Sequence, residues 1–321
     1  MRDTPQATPI RRSGDLHHCT ALRTQRTSVL SNRRSVDGFA VLKYHQSPIR
    51  EKSSEHQLTL RLNFTVNLEH VPLLQLQRDL CDGPRGAERF KEYIRTLRGS
   101  TFDDMELPLS AFNPMAKQHV PDLLDEYIAL GAEDAAAETV EQQHSNAALQ
   151  TDGSFRVALV LADDAHGGWT NRIATEFEHR FNDRAHHRRG WACGLLWTSE
   201  PASLDSVRET VTSAIWRAHV VQQHGWPKTL AGMMRQAGCV ATNADCVVKP
   251  EYDLEELEYT RTVIEPFRES EKKSDQIACL FGDAAAKELG YQPLGLSPRA
   301  GFALAGYEAL HTESRISAPP K

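Results

Sequence analysis

Long apolar runs, paired cysteines and nucleotide-binding signatures are all missing from this chain of 321 residues. The longest uninterrupted apolar run is Val157–Ala162, far short of the roughly 18 residues a helix needs to cross a bilayer, so no membrane span is expected. Cys19, Cys81, Cys193, Cys239, Cys246 and Cys279 form neither a C-x-x-C pair nor a zinc-ribbon spacing, and no cleavable apolar leader precedes them. They read as reduced thiols in a cytoplasmic compartment. The P-loop, H-E-x-x-H, G-x-S-x-G, G-x-G-x-x-G and protein-kinase patterns are absent too, which removes sequence support for those common mechanisms.

Charge divides the chain. Residues 1–55 hold ten Lys/Arg against five Asp/Glu, a balance of +5; the total is −6, so residues 56–321 carry −11. A folded body of that sign repels phosphate backbones, and nucleic acid is not an expected partner for it. The first 55 residues are rich in Arg and Ser and keep no apolar period. They read as a disordered basic tail, with a transit peptide and an over-extended start as the alternatives.

From residue 56 onward the patterning is that of a folded α/β domain. Leu58, Leu60, Leu62, Phe64, Val66 and Leu68 alternate with polar residues, predicting an edge or antiparallel strand. A helix with Phe90, Ile94 and Leu97 on one face follows, then MELPLSAFNP, which reads as an edge strand because of Pro108, then a helix from Pro121 to Gly131. Residues 132–149 have almost no large apolar side chains and predict a solvated helix or a connector; if there are two lobes, they join near 149–153. Strand FRVALVLADD, helix TNRIATEFEHRF, strand WACGLLWTSE and a long helix near 203–223 come next. Continuous apolar strands alternating with helices imply a mainly parallel sheet flanked by helices, and the C-terminal portion reads as helical.

Polar groups gather where strands end, the carboxyl edge at which open parallel sheets bind ligands. Three such loops offer Asn113, Lys117 and His119; Asp163, Asp164, His166, Gly167, Gly168, Thr170 and Asn171; and Thr198, Ser199 and Glu200. If the strands are neighbours, these converge. Asp163, Asp164, His166 and Glu200 suit a divalent metal, since hard cations take carboxylates and imidazole binds several transition metals. Alternatively an Asp orients His166 as a general base, while Lys117 or the amides of Gly167 and Gly168 hold an anion. The expected function is an enzyme or binding protein for a small anionic or polar molecule. A plainer reading makes the loop a capped turn, with Thr170 or Asn171 as the helix cap.

Other features weigh less. Glu141/His144, Glu176/His179 and Glu308/His311 have the spacing of di-iron ligands, but the α/β alternation is wrong for a bundle and helical projection turns His179 to water. His186 and His187 read as a solvated loop. Trp169 and Trp197 are placed to wall a pocket beside the loop. Trp216 and Val220 project opposite the inner face of their helix, so something should cover them, and the helices after Trp226 are the simplest cover. The rival functional class rests on that face: a non-catalytic interaction protein whose Trp216/Val220 surface forms a homodimer or meets a partner.

Overall fold

Nine consecutive residues with almost no polar side chains form the centre of the structure. In the computed structural model, which describes residues 67–98, 106–146, 148–149, 153–165, 169–244 and 252–316, Ser154–Ala162 is strand β2. It runs between β1 (Asn67–His70) and β3 (Trp191–Trp197). Both pairings are parallel, in the order β1-β2-β3, with Asn67 opposite Ser154 and Ala162 opposite Trp197. Val157 through Ala162 are wholly buried, the continuous apolar run expected of a strand covered on both faces. The chain is an α/β fold with a small parallel sheet flanked by helices. All described residues lie in the unit 60–321.

Twelve helices surround or extend this sheet among the described residues: α1 (Leu74–Asp79), α2 (Ala87–Arg98), α3 (His119–Ala129), α4 (Ala132–His144), α5 (Arg172–Phe181), α6 (Arg184–Arg188), α7 (Leu204–His224), α8 (Leu230–Asn243), α9 (Leu254–Ile264), α10 (Lys273–Phe281), α11 (Asp283–Glu288) and α12 (Ala300–Ile316). None is long and apolar enough to cross a membrane. Helix α7 packs on β3 and β2, and α4 packs on β1 and α7. The approach of α7 is close: a Cβ on Gly194 would lie 2.6 Å from Thr210 Cγ2.

Helix α4 shows why residues 132–149 looked solvated. Its buried stripe is Ala132, Ala135, Ala136, Thr139 and Val140, small side chains that let it lie flat against α7. Trp216 and Val220 are 4% and 6% exposed and share one core with Ala136, Val140 and Val240. Their cover comes from this chain.

Two expectations need correction. Residues 106–114 of MELPLSAFNP form no strand; Leu109–Ala111 is a 3₁₀ turn, because Pro108 has no N–H to give to a ladder and buried Leu109 and Phe112 pin the segment from its two ends. The helix before it turns Tyr93 and Leu97 inward and leaves Phe90 exposed. Of the alternating run from Leu58, only Asn67 onward lies within the described residues, as do none of residues 1–55.

A second core unites α5 with the C-terminal helices, through Phe177, Phe181, Met233, Met234, Ile277, Leu280, Phe281 and Leu304. Helices α8 and α12 meet at Gly238, where a Cβ would stand 2.4 Å from the Ala305 carbonyl oxygen. Gly238→Ala is therefore expected to destabilise by about 1–3 kcal/mol through backbone displacement, although alanine itself favours a helix by about 1 kcal/mol. A melting temperature equal to or above that of the parent chain would refute the close-packing argument.

Candidate functional site

At the carboxyl end of the sheet the backbone register does the first positioning. Ala162 pairs with Trp197 and its carbonyl accepts from Thr198 N at 3.1 Å, so the residues after each strand emerge side by side. Asp163, 1% exposed, stands at the centre. Its Oδ2 accepts from Asn113 Nδ2 at 2.7 Å, and its Oδ1 lies 2.9 Å from His119 Nε2 and 3.2 Å from Thr198 Oγ1. Asn113 is itself held, because its Oδ1 accepts from Met115 N at 2.9 Å, which aims the amide at the carboxylate. Thr170 closes the loop through N and Oγ1, both bonded to the Asp163 carbonyl, at 3.0 and 2.9 Å.

Asp164 organises the other half. It accepts from Ser199 N at 2.9 Å, Ser199 Oγ at 2.6 Å and Arg172 at 3.1 Å. Burial opposes its ionisation, but the bonds from Ser199 and Arg172 prevail and hold the carboxyl below its ordinary value. Thr198 Oγ1 accepts from Asp164 N and Ala165 N at 3.1 and 3.2 Å. Its single hydrogen serves either acid, Asp163 at 3.2 Å or Asp164 at 3.1 Å. Arg172 also donates to Glu200 at 2.6 Å and stacks over Trp197 with its guanidinium carbon 4.0 Å from the ring centroid.

The predicted convergence is thus present for Asn113, His119, Asp163, Asp164, Thr170, Thr198, Ser199 and Glu200, even though Asn113 follows a 3₁₀ turn and His119 opens α3, and neither follows a strand. Asn171 points elsewhere: it caps α5 by accepting from Ala174 N at 2.9 Å and donates to Glu288 at 2.6 Å. Lys117 is exposed and has no side-chain partner among the described residues. Trp197 is buried beneath Arg172, whereas Trp169 is 47% exposed. His166, Gly167 and Gly168 lie outside the described residues.

Of the expected metal set, His166 lies outside the described residues. No group of three or more His, Cys, Asp and Glu fit to hold an ion occurs among the described residues; Asp164 and Glu200 meet across the guanidinium of Arg172, and Asp163 is engaged by Asn113 and His119. Arg172 is the member that sequence reasoning missed. A signal existed: it opens α5, where the helix dipole disfavours a cation, so a carboxylate partner nearby was to be expected. Comparison with family models, curated proteins and solved structures finds no match to the chain.

Proposed function

We propose that this protein is an enzyme or binding protein for a small polar or anionic molecule, and that His119 is its general base, oriented by Asp163. One observation carries the reading: a buried carboxylate, fixed by Asn113 and Thr198, bonds an imidazole whose side chain is 38% exposed. A carboxylate only accepts, so Nε2 carries the hydrogen and Nδ1 keeps its lone pair for a reacting group. That is the logic by which an acid sets the tautomer of a catalytic histidine. Lys117, on the same segment, supplies an anion contact. Cytoplasmic residence belongs to the same proposal, supported by Cys81, Cys193 and Cys279 being buried thiols and not disulfides.

The test is a thermal-shift screen of small carboxylates and phosphate esters on the full chain, with ¹⁵N-histidine spectra. A ligand at 100 times its Kd should stabilise by about 2.7 kcal/mol, and His119→Ala should abolish that shift while costing under about 1 kcal/mol of intrinsic stability, since the ring is half exposed. The spectra should show His119 as the Nε2–H tautomer, a preference lost in Asp163→Asn. Stabilisation that persists in His119→Ala, or a hydrogen found on Nδ1 in the parent chain, would remove His119 from the role.

A further inference from the structure

The two edges of the sheet treat their outward backbone groups differently. Thr198 N bonds Ala162 O, and Gly190 O accepts from Arg156 N, so in this parallel ladder the even residues of β3 turn N–H and C=O to β2 and the odd ones turn theirs away. At the opposite edge, beyond the end of β1, the carboxamide of Gln77 takes the outward groups of β2, donating to Leu159 O at 3.0 Å and accepting from Leu161 N at 2.9 Å. No side chain does the same for β3. The N–H and C=O of Cys193 and Leu195 form no hydrogen bond with the described residues, although these two residues are only 6% and 9% exposed. Buried backbone groups are almost always paired, so these four require a partner.

A cavity of about 290 Å³ lies against this edge and is lined by those same two residues of β3, at the small end of the ~300–1,000 Å³ common for ligand pockets. Helix α5 and the turn into α6 wall it with Ala174, His179 and Asp183, and the 3₁₀ turn adds Pro108 and Ala111. Asp183 lies 2.7 Å from His186 Nδ1 and 3.4 Å from His179 Nδ1. His179, with its side chain 13% exposed, therefore does not face water as helical projection suggested, and neither does His186, at 7%. The lining includes Glu178 and Asp183 but no Lys or Arg, which disfavours anions. So deep an edge is shut to another protein's strand, and the volume suits a small molecule. Cys193 O and Leu195 N stand two residues apart, the spacing that Gln77 spans across β2. A trans secondary amide turns its N–H and C=O to opposite sides. A primary carboxamide keeps one N–H beside its oxygen, and can meet both groups at once.

We propose that the open edge of β3 is a second binding site, taking a small uncharged primary carboxamide that donates to Cys193 O, accepts from Leu195 N and lays an apolar body on Pro108 and Ala111. The site is independent of His119. Benzamide is the probe, with methyl benzoate as a similar body lacking the N–H and benzoate as the anion, each titrated into the ¹³C,¹⁵N-labelled full chain. Benzamide should move the Leu195 amide proton and the Cys193 carbonyl carbon saturably and together. Methyl benzoate should bind roughly tenfold more weakly for want of the hydrogen bond to Cys193 O, and benzoate should not compete. Ala174→Leu, which fills the cavity, should abolish benzamide binding while a cooperative melt persists. Should that variant fail to fold, Ser110→Trp, at an exposed position of the lining, answers in its place by closing the entrance. Signals of Cys193 and Leu195 unmoved by benzamide, methyl benzoate equal to benzamide, or binding that survives both substitutions overturns the proposal and leaves the edge bonded to buried water only.

Discussion

Replacing Glu176 by glutamine should cost about 3 kcal/mol of folding stability, the lower end of what stripping one partner from a buried ionic cluster costs. The carboxylate is only 4% exposed and faces three arginines: Arg180 Nε at 2.7 Å, Arg299 at 2.6 and 3.1 Å, and Arg172 Nε at 3.5 Å. These arginines keep part of their hydration, which is why the lower figure applies. Glutamine fills the same volume but removes the charge that the three guanidiniums share, and its amide hydrogens oppose them.

The same residue sets a pH dependence. Burial alone would raise the Glu176 carboxyl, but Arg180, Arg299 and Arg172 outweigh it and hold it well below the usual range. A depressed carboxyl stabilises fully above its unfolded value, near pH 4.3, and that contribution drains away as pH falls toward the folded value. Urea denaturation at neutral and acidic pH should therefore show the parent chain losing more stability below about pH 4 than Glu176→Gln does. A variant within about 1 kcal/mol of the parent at neutral pH, inside the range of ordinary surface changes and not of a buried ion pair, would contradict this account.

Gln77→Leu should be comparably damaging, for a different reason. Strand β1 ends at His70, and Val71 N makes the last bond to β2, at Val157 O. Further along, β2 would present unpaired groups to the core, but Gln77 of α1, wholly buried, donates to Leu159 O at 3.0 Å and accepts from Leu161 N at 2.9 Å. Its carboxamide thus stands where the next peptide of a parallel strand would stand, bonding carbonyl and amide two residues apart. Leucine keeps the volume and deletes both bonds. Two backbone groups then go unpaired in a dry interior, at about 1–3 kcal/mol each. Gln77→Glu should also destabilise, since an ionised carboxylate cannot donate to Leu159 O. Equilibrium unfolding of the leucine variant at parental stability would show that these bonds contribute nothing.

These two residues mark where sequence reading reached and where it stopped. Strands β2 and β3 and helices α2, α3, α5 and α7 were legible because long apolar runs and periodicity report burial directly. Gln77 was not, since a polar residue in the core declares itself only once its partners are known, and they lie 82 and 84 positions away. Helix α4 was ambiguous because alanine buries well yet adds little to any hydrophobic pattern. At the rim, topology foretold that Asp163, Asp164, Thr198 and Glu200 would meet, but not that Arg172 would stand between the acids. His186 was misjudged because neighbouring arginines make its segment look like surface, whereas Asp183 draws the ring inward.

The order of the sheet bears on how this protein can be taken apart. Asn67 and Ser154 lie side by side although 87 positions separate them, so the stretch 149–153 is crossed by backbone pairing. A cut there would not release two independent pieces. The N-terminal product would carry an orphan strand, and the C-terminal product would bare one edge of β2, a template for adhesion to other chains. Dissection of the molecule for separate study should leave residues 67–197 intact.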